Sequence, residues 1–147
     1  MPALTQDAFS HLLPHGGAMR LIESVEAWDA ATIRCRAVTH RDPRNPLRAR
    51  GRLAVSAGLE YAAQAMGLHV GLAEGGPAPA NRIGYVGGVR DVTFAVERLD
   101  DTTDDLVIDA TRLAEGEQSY MYQFRVALGD RPVIEGRASI FLKAVTA

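Results

Sequence analysis

Apolar residues recur along this chain in two rhythms. In Thr32–Val38, Ile33, Cys35 and Ala37 alternate with Thr32, Arg34 and Arg36, the period of a strand with one face in a core. Arg20–Val25 reads as a strand before it. Late in the chain, four runs read the same way: 83–96, 106–113, 119–128 and 133–142. The last two flank Gly129-Asp130-Arg131-Pro132, a hairpin signature. Between these groups the rhythm changes. Leu53–Ala73 is rich in Ala and Leu and poor in β-branched residues, which favours a helix. Ser56 stands as a plausible N-cap, and Gly75-Gly76-Pro77-Ala78-Pro79 ends it. A helical turn is expected over Ala8–Leu13, closed by Pro14 and Gly16-Gly17. A polar loop, His40–Arg52, leads into the helix.

That helix is apolar nearly all round, so other elements must surround it on most sides. The order is strand, strand, helix, then four strands, which predicts an α+β fold with an antiparallel sheet wrapped around one long central helix. At 147 residues the chain is expected to form a single domain over 1–147. A chain of this length buries roughly two-thirds of its unfolded surface and needs no staple. Leu53–Ala73 is about as long as a bilayer-spanning helix, but Glu60, Gln64 and His69 fall inside it. A carboxylate at mid-membrane is costly, so the segment is expected inside a protein.

Composition narrows the function. The formal charge is −2, whereas wrapping nucleic acid needs a strongly basic face, so that class is excluded. With Cys35 the only cysteine, neither an intrachain disulfide nor a cysteine-cluster zinc site is expected. The first residues carry no basic group ahead of an apolar run, so no secretory signal is read and the expected compartment is the cytoplasm.

Glu60 is the one charged residue between Leu53 and Ala73, and Ser56, Glu60 and Gln64 lie four apart on one helical stripe. An acid on an apolar helix must be paired, wet or protonated. A protonated carboxyl is a general acid; a Glu that reaches solvent or an arginine is only structural. The histidines are His11, His15, His40 and His69. His15 and His40 lie in loops, where catalysis and an ordinary loop role stand level. His69 points away from Glu60 and reads as packed or surface. No histidine pair has metal-ligand spacing, so no metal is expected. Between Arg34 and Arg52 lie seven arginines and one acid, Asp42. They form either a solvated face or a docking surface for an acidic partner or a phosphate. Gly84-Tyr85-Val86-Gly87-Gly88 does not match dinucleotide or P-loop spacing. Glycines in a strand mark a bulge or a close backbone approach by a ligand.

Leu13-Pro14-His15-Gly16-Gly17 with the apolar run to Val25 is similar to the opening motif of the β-hydroxyacyl-acyl-carrier-protein dehydratases. Glu60-Tyr61-Ala62-Ala63-Gln64 resembles their helix motif. The likeness spans nearly the whole chain and is strongest to the divergent branch of aryl-polyene biosynthesis clusters, through Gly51, nine residues before Glu60, and Tyr85-Val86-Gly87-Gly88-Val89. Asn45-Pro46 of the family's histidine motif is kept. Arg41 stands in the place of the histidine, with His40 one residue off.

The resemblance implies a hotdog fold and removal of water from a 3-hydroxyacyl thioester. Glu60 would be the acid, and His15 or His40 the base. Backbone N–H groups around Gly58 would polarise the thioester carbonyl. Gln64, Gly87 and Gly88 are the further substrate-binding candidates. It also implies no cofactor, an acyl-carrier-protein or coenzyme A thioester as substrate, and a homodimer or a heterodimer with another hotdog protein. The rival functions are a catalytically silent subunit that binds carrier protein or pairs with an active homologue, and an acyl thioesterase of the same fold.

Overall fold

The computed structural model describes residues 3–9, 12, 17–73 and 82–144, with side chains in the last segment from 86 to 142. The strands are β1 (Leu4–Thr5), β2 (Ser24–Trp28), β3 (Thr32–Ala37), β4 (Arg82–Phe94), β5 (Leu106–Glu115), β6 (Ser119–Leu128) and β7 (Arg131–Ala144). The helices are α1 (Gln6–Phe9) and α2 (Gly58–Ala73). The strands form one antiparallel sheet in the order β1-β2-β3-β5-β6-β7-β4. Sequence neighbours β3 and β4 thus lie far apart, and α2 is the crossover between them.

Alternation decides which face holds the helix. Ile33, Cys35 and Ala37 of β3, Ile108 and Ala110 of β5, Tyr122, Phe124 and Val126 of β6, and Ala138 and Ile140 of β7 are all buried. They meet Tyr61, Ala62, Ala65, Met66 and Leu68 of α2 in one continuous cluster. Burying each large apolar side chain contributes about 1.5–3 kcal/mol. Bulges and register shifts interrupt β2, β4, β5 and β7, and such interruptions bend a strand and raise its twist. The sheet therefore curls enough for one helix to touch β3, β4, β5, β6 and β7.

Two expectations are corrected. The strand expected over Arg20–Val25 begins at Ser24, because the chain before it is drawn onto α2 instead of into the ladder. The Leu21 N–H donates to Gln64 Oε1 at 3.0 Å, and Gln64 Nε2 donates to the Met19 carbonyl at 2.7 Å. Ser56 is not an N-cap: it sits inside a 3-10 turn, Val55–Ala57, that runs into α2 at Gly58 without a side-chain cap. The early helical turn lies at Gln6–Phe9; residues 10–11 and 13–16 of the expected Ala8–Leu13 turn and its stop are outside the described residues. Among the described residues no helix is long and apolar enough to cross a membrane.

Candidate functional site

The first turn of α2 rests directly on β7. A Cβ on Gly58 would stand 2.3 Å from Ile134 Cδ1, so only glycine lets the helix start pack this closely. Gly58 N–H already donates to the carbonyls of Val55 and Ser56. In this structure Gly58 is a packing contact, and its own N–H is engaged by the turn. Two residues on, Glu60 is half-buried in that first turn. Leu59, Glu60, Ala63 and Gly67 are half-buried in turn, while most of the helix is fully buried. These four lie on one side of α2 and form a less buried strip along it.

A second segment is fastened to the helix beside Glu60. Thr39–Arg41 forms a 3-10 turn, and Tyr61, next to Glu60, reaches into it. Asn45 Nδ2 donates to the Tyr61 hydroxyl at 3.0 Å and to the Thr39 carbonyl at 2.9 Å. Thr39 Oγ1 donates to the Leu21 carbonyl at 2.8 Å, so the 2.7 Å bond between Thr39 and Tyr61 must carry the Tyr61 proton. Asn45 Oδ1 accepts the Leu47 N–H at 2.8 Å, which turns the chain at Pro46. Every polar atom of this relay has a partner inside a buried site, where an unpaired one would be expensive. Burial raises the Tyr61 hydroxyl's pKa above its usual value.

His40 rides on the same turn with no exposed surface. Its Nε2 lies 2.8 Å from the Asp104 carbonyl. A carbonyl only accepts, so the proton sits on Nε2 and Nδ1 keeps its lone pair. That Nδ1 is buried without a hydrogen-bond partner among the described residues. Burial, reinforced by Arg41, holds the ring's pKa below its ordinary value, against the pull of the Asp104 carbonyl, Asp105 and Asp100. His40 is thus an imidazole favoured in its neutral form, with one nitrogen fixed and the other buried without a hydrogen-bond partner among the described residues.

The remaining candidates fall apart spatially. Gln64 is 1% exposed and its amide holds the Met19–Leu21 backbone, so it anchors a segment rather than facing a cleft. Gly87 is the extra residue of a β4 bulge, and a Cβ there would stand 2.1 Å from the Phe141 ring. It makes room for that ring. Gly88 lines a shallow cavity of about 170 Å³ with Val89, Arg90, Met121, Arg137, Ala138 and Ser139, a group that includes neither Glu60 nor His40. His11 and His15 lie outside the described residues. Cys35 is buried and its thiol's pKa is pushed up by burial, the opposite of a reactive cysteine. Among the described residues, no cluster of His, Cys, Asp or Glu has the makings of a metal site. Tyr61, Thr39 and Asn45 were not singled out as site residues. Asn45-Pro46 in the motif was the available signal for the last of them.

An antiparallel sheet that grips one long helix along its length makes this a hotdog-fold protein. The chain belongs to the ApeP-like family, described as ApeP dehydratase, whose model matches residues 8–146. No curated protein is similar enough in sequence to match. Among solved structures, it resembles the dehydratase heterocomplex ApeI:P from Xenorhabdus doucetiae at 22% identity, over 91% of this chain and 90% of that one, with TM-score 0.78. A thioesterase from Haemophilus influenzae is 12% identical over 98% and 94% of the two chains, with TM-score 0.64. A mutant thioesterase from Pseudomonas aeruginosa is 16% identical over 84% and 82%, with TM-score 0.56. At these identities the structural likenesses establish the fold.

Proposed function

We propose that this chain removes water from a 3-hydroxyacyl thioester in the cytoplasm, with His40 as base and Glu60 as acid, on an acyl group carried by acyl carrier protein or coenzyme A. The observation that carries this reading is the unpaired Nδ1 of a buried, neutral histidine whose turn is tied to the residue beside Glu60. Nδ1 takes the proton from the carbon next to the thioester carbonyl. The electron pair forms the carbon–carbon double bond, and the Glu60 carboxyl protonates the hydroxyl that leaves as water. Afterwards the imidazolium returns its proton and the carboxylate regains one, which resets both groups.

A second hotdog subunit completes the assembly in this reading. The 13-residue strand β4 is an edge of the sheet, with Val89 45% and Phe94 46% exposed. An open edge of that length is a template for pairing with another chain. That the similar ApeI:P structure is a heterocomplex supports pairing with a second subunit.

The test is conversion of a 3-hydroxyacyl pantetheine thioester to its enoyl product, followed by the ultraviolet absorbance of the conjugated thioester. His40→Gln and Glu60→Gln, each purified as the folded assembly, are expected to lose about 10²–10⁴-fold in kcat. Wild-type turnover by His40→Gln together with loss in His15→Ala would move the base to His15. Hydrolysis to free acid without enoyl product would make the chain a thioesterase.

A further inference from the structure

The seven arginines between Arg34 and Arg52 are not equivalent once folded. Arg34 pairs with Asp109 at 2.8 Å, Arg36 with Glu26 at 3.0 Å, and Arg41 with Asp105 at 3.1 Å. Arg44 reaches Asp42 at 3.5 Å and Arg48 reaches Asp100 at 3.1 Å. Two are left. Arg50 and Arg52 are exposed, and among the described residues no carboxylate lies within ion-pair distance of either.

These two sit on a hairpin of unusual build. Ala49 N–H donates to the Arg52 carbonyl at 2.9 Å, and Arg52 N–H donates back to Ala49 at 3.1 Å. Arg50 and Gly51 both have positive φ, 56° and 75°, which makes a type I′ turn. Asn, Asp or Gly suits the first of those positions, and an arginine there holds the backbone in a conformation it disfavours. The hairpin is nonetheless braced. Arg48 folds back onto the Gly51 carbonyl at 3.0 Å and onto Asp100. Asp100, only 4% exposed in its side chain, also accepts the Leu53 N–H at 3.1 Å and Arg98 Nε at 2.9 Å. The bracing leaves the tip open: a Cβ on Gly51 would meet nothing within 4 Å. Six residues after Arg52, α2 begins at Gly58.

We propose that the Ala49–Arg52 hairpin is a docking element for the acidic surface of the small protein that carries the acyl thioester. This rests on the reading of the chain as acting on a carried acyl group. A single phosphate is held by donors converging in a concavity, whereas two unpaired guanidinium groups on an exposed tip match a broad field of carboxylates. Such complementarity acts mainly on encounter and register. The tip is positive on a chain of net charge −2, and a short segment joins it to the helix that bears Glu60.

The experiment compares the folded assembly with its Arg50→Glu/Arg52→Glu form on three substrates: the same 3-hydroxyacyl group on an acidic acyl carrier protein, on coenzyme A and on pantetheine. The expected result is a fall of about ten- to hundred-fold in kcat/KM on the carrier protein alone, with a flattened salt dependence. Equal rates on the carrier protein, or equal losses on carrier and pantetheine, overturn the proposal. A loss confined to coenzyme A would show a phosphate site and overturn it as well. If the wild type turns over none of the three, the dehydratase reading fails, and docking is then read from the Kd of fluorescently labelled carrier protein: a Kd that charge reversal leaves unchanged overturns it. Arg50→Asn, which suits the turn better, is expected to raise the melting temperature while weakening carrier binding, and stronger carrier binding by this variant would count against the proposal.

Discussion

Two histidines among the described residues are buried completely, and their hydrogen bonding differs at one nitrogen. His69 of α2 has both ring nitrogens engaged: Nε2 donates to the Asp29 carbonyl at 2.8 Å and Nδ1 accepts from the Tyr122 hydroxyl at 2.7 Å. Arg112 Nη2 then donates to that hydroxyl's oxygen at 3.0 Å. The ring also meets Tyr122 edge-on, with centroids 5.5 Å apart. His40 has a like carbonyl contact on one side and, among the described residues, no hydrogen-bond partner on the other. Both rings are held below the ordinary histidine pKa, burial being the first cause in each. Burial alone therefore does not mark a functional histidine. The distinguishing feature is a lone pair that the fold desolvates and then leaves unused, because native interiors seldom tolerate one without a reason.

Matched substitutions break or sharpen this contrast, and the largest effect is expected in rate. His40→Gln should lower kcat by about 10³-fold while His69→Gln stays within roughly threefold, measured on a pantetheine thioester. In stability the order reverses. His69→Leu leaves the Asp29 carbonyl and the Tyr122 hydroxyl short of partners and should cost about 2–4 kcal/mol by urea unfolding. His40→Leu removes one bond along with an unpaired atom and should cost less than about 1.5 kcal/mol. Equal costs would mean that the His40 Nδ1 has a partner.

The pH dependence of stability is the next, smaller effect. For both rings the folded pKa is depressed, so below about 6.5 the unfolded chain binds protons that the folded one refuses. Their contribution is complete above that pH and is lost as pH falls toward the folded values. Replacing His69 by Gln should flatten the acid side of the stability profile by up to about 1.4 kcal/mol per pH unit. The smallest effect is expected from Tyr61→Phe. It removes the bond that Thr39 Oγ1 accepts and one of the two that Asn45 Nδ2 donates, and should cost about 1 kcal/mol. By loosening the turn under His40 it should lower kcat roughly tenfold without shifting the pH profile.

The fold was legible where a local pattern coincided with burial. Alternation at Ile33, Cys35 and Ala37 located β3, and the run Ser119–Leu128 has the bounds expected for β6. The apolar, Ala-rich stretch located α2 because a helix clasped by a sheet has almost no polar face to show. The site was less legible, since its contacts join distant positions. Gln64 binds backbone 43 and 45 residues away, and no spacing rule marks such a partner. Gly58 and Gly87 read as ligand contacts in the sequence, yet each is small because Ile134 or Phe141 occupies the space beside it. Glu60 was found because it is the sole charge on its helix. Tyr61 beside it was passed over because a tyrosine on an apolar helix looks like core, and only its hydroxyl's partners reveal the tie to the His40 turn.

The strand order has a consequence for biosynthesis. β3 pairs with β5, Ile33 opposite Ala110, so the central ladder waits until the ribosome has released more than a hundred residues. Until then α2, already emerged, has no concave surface to occupy and exposes its Ala- and Leu-rich faces. Such long-range closure is slow, so the rate at which the whole sheet forms is expected to be set by the late pairing of β3 with β5 rather than by the early formation of α2.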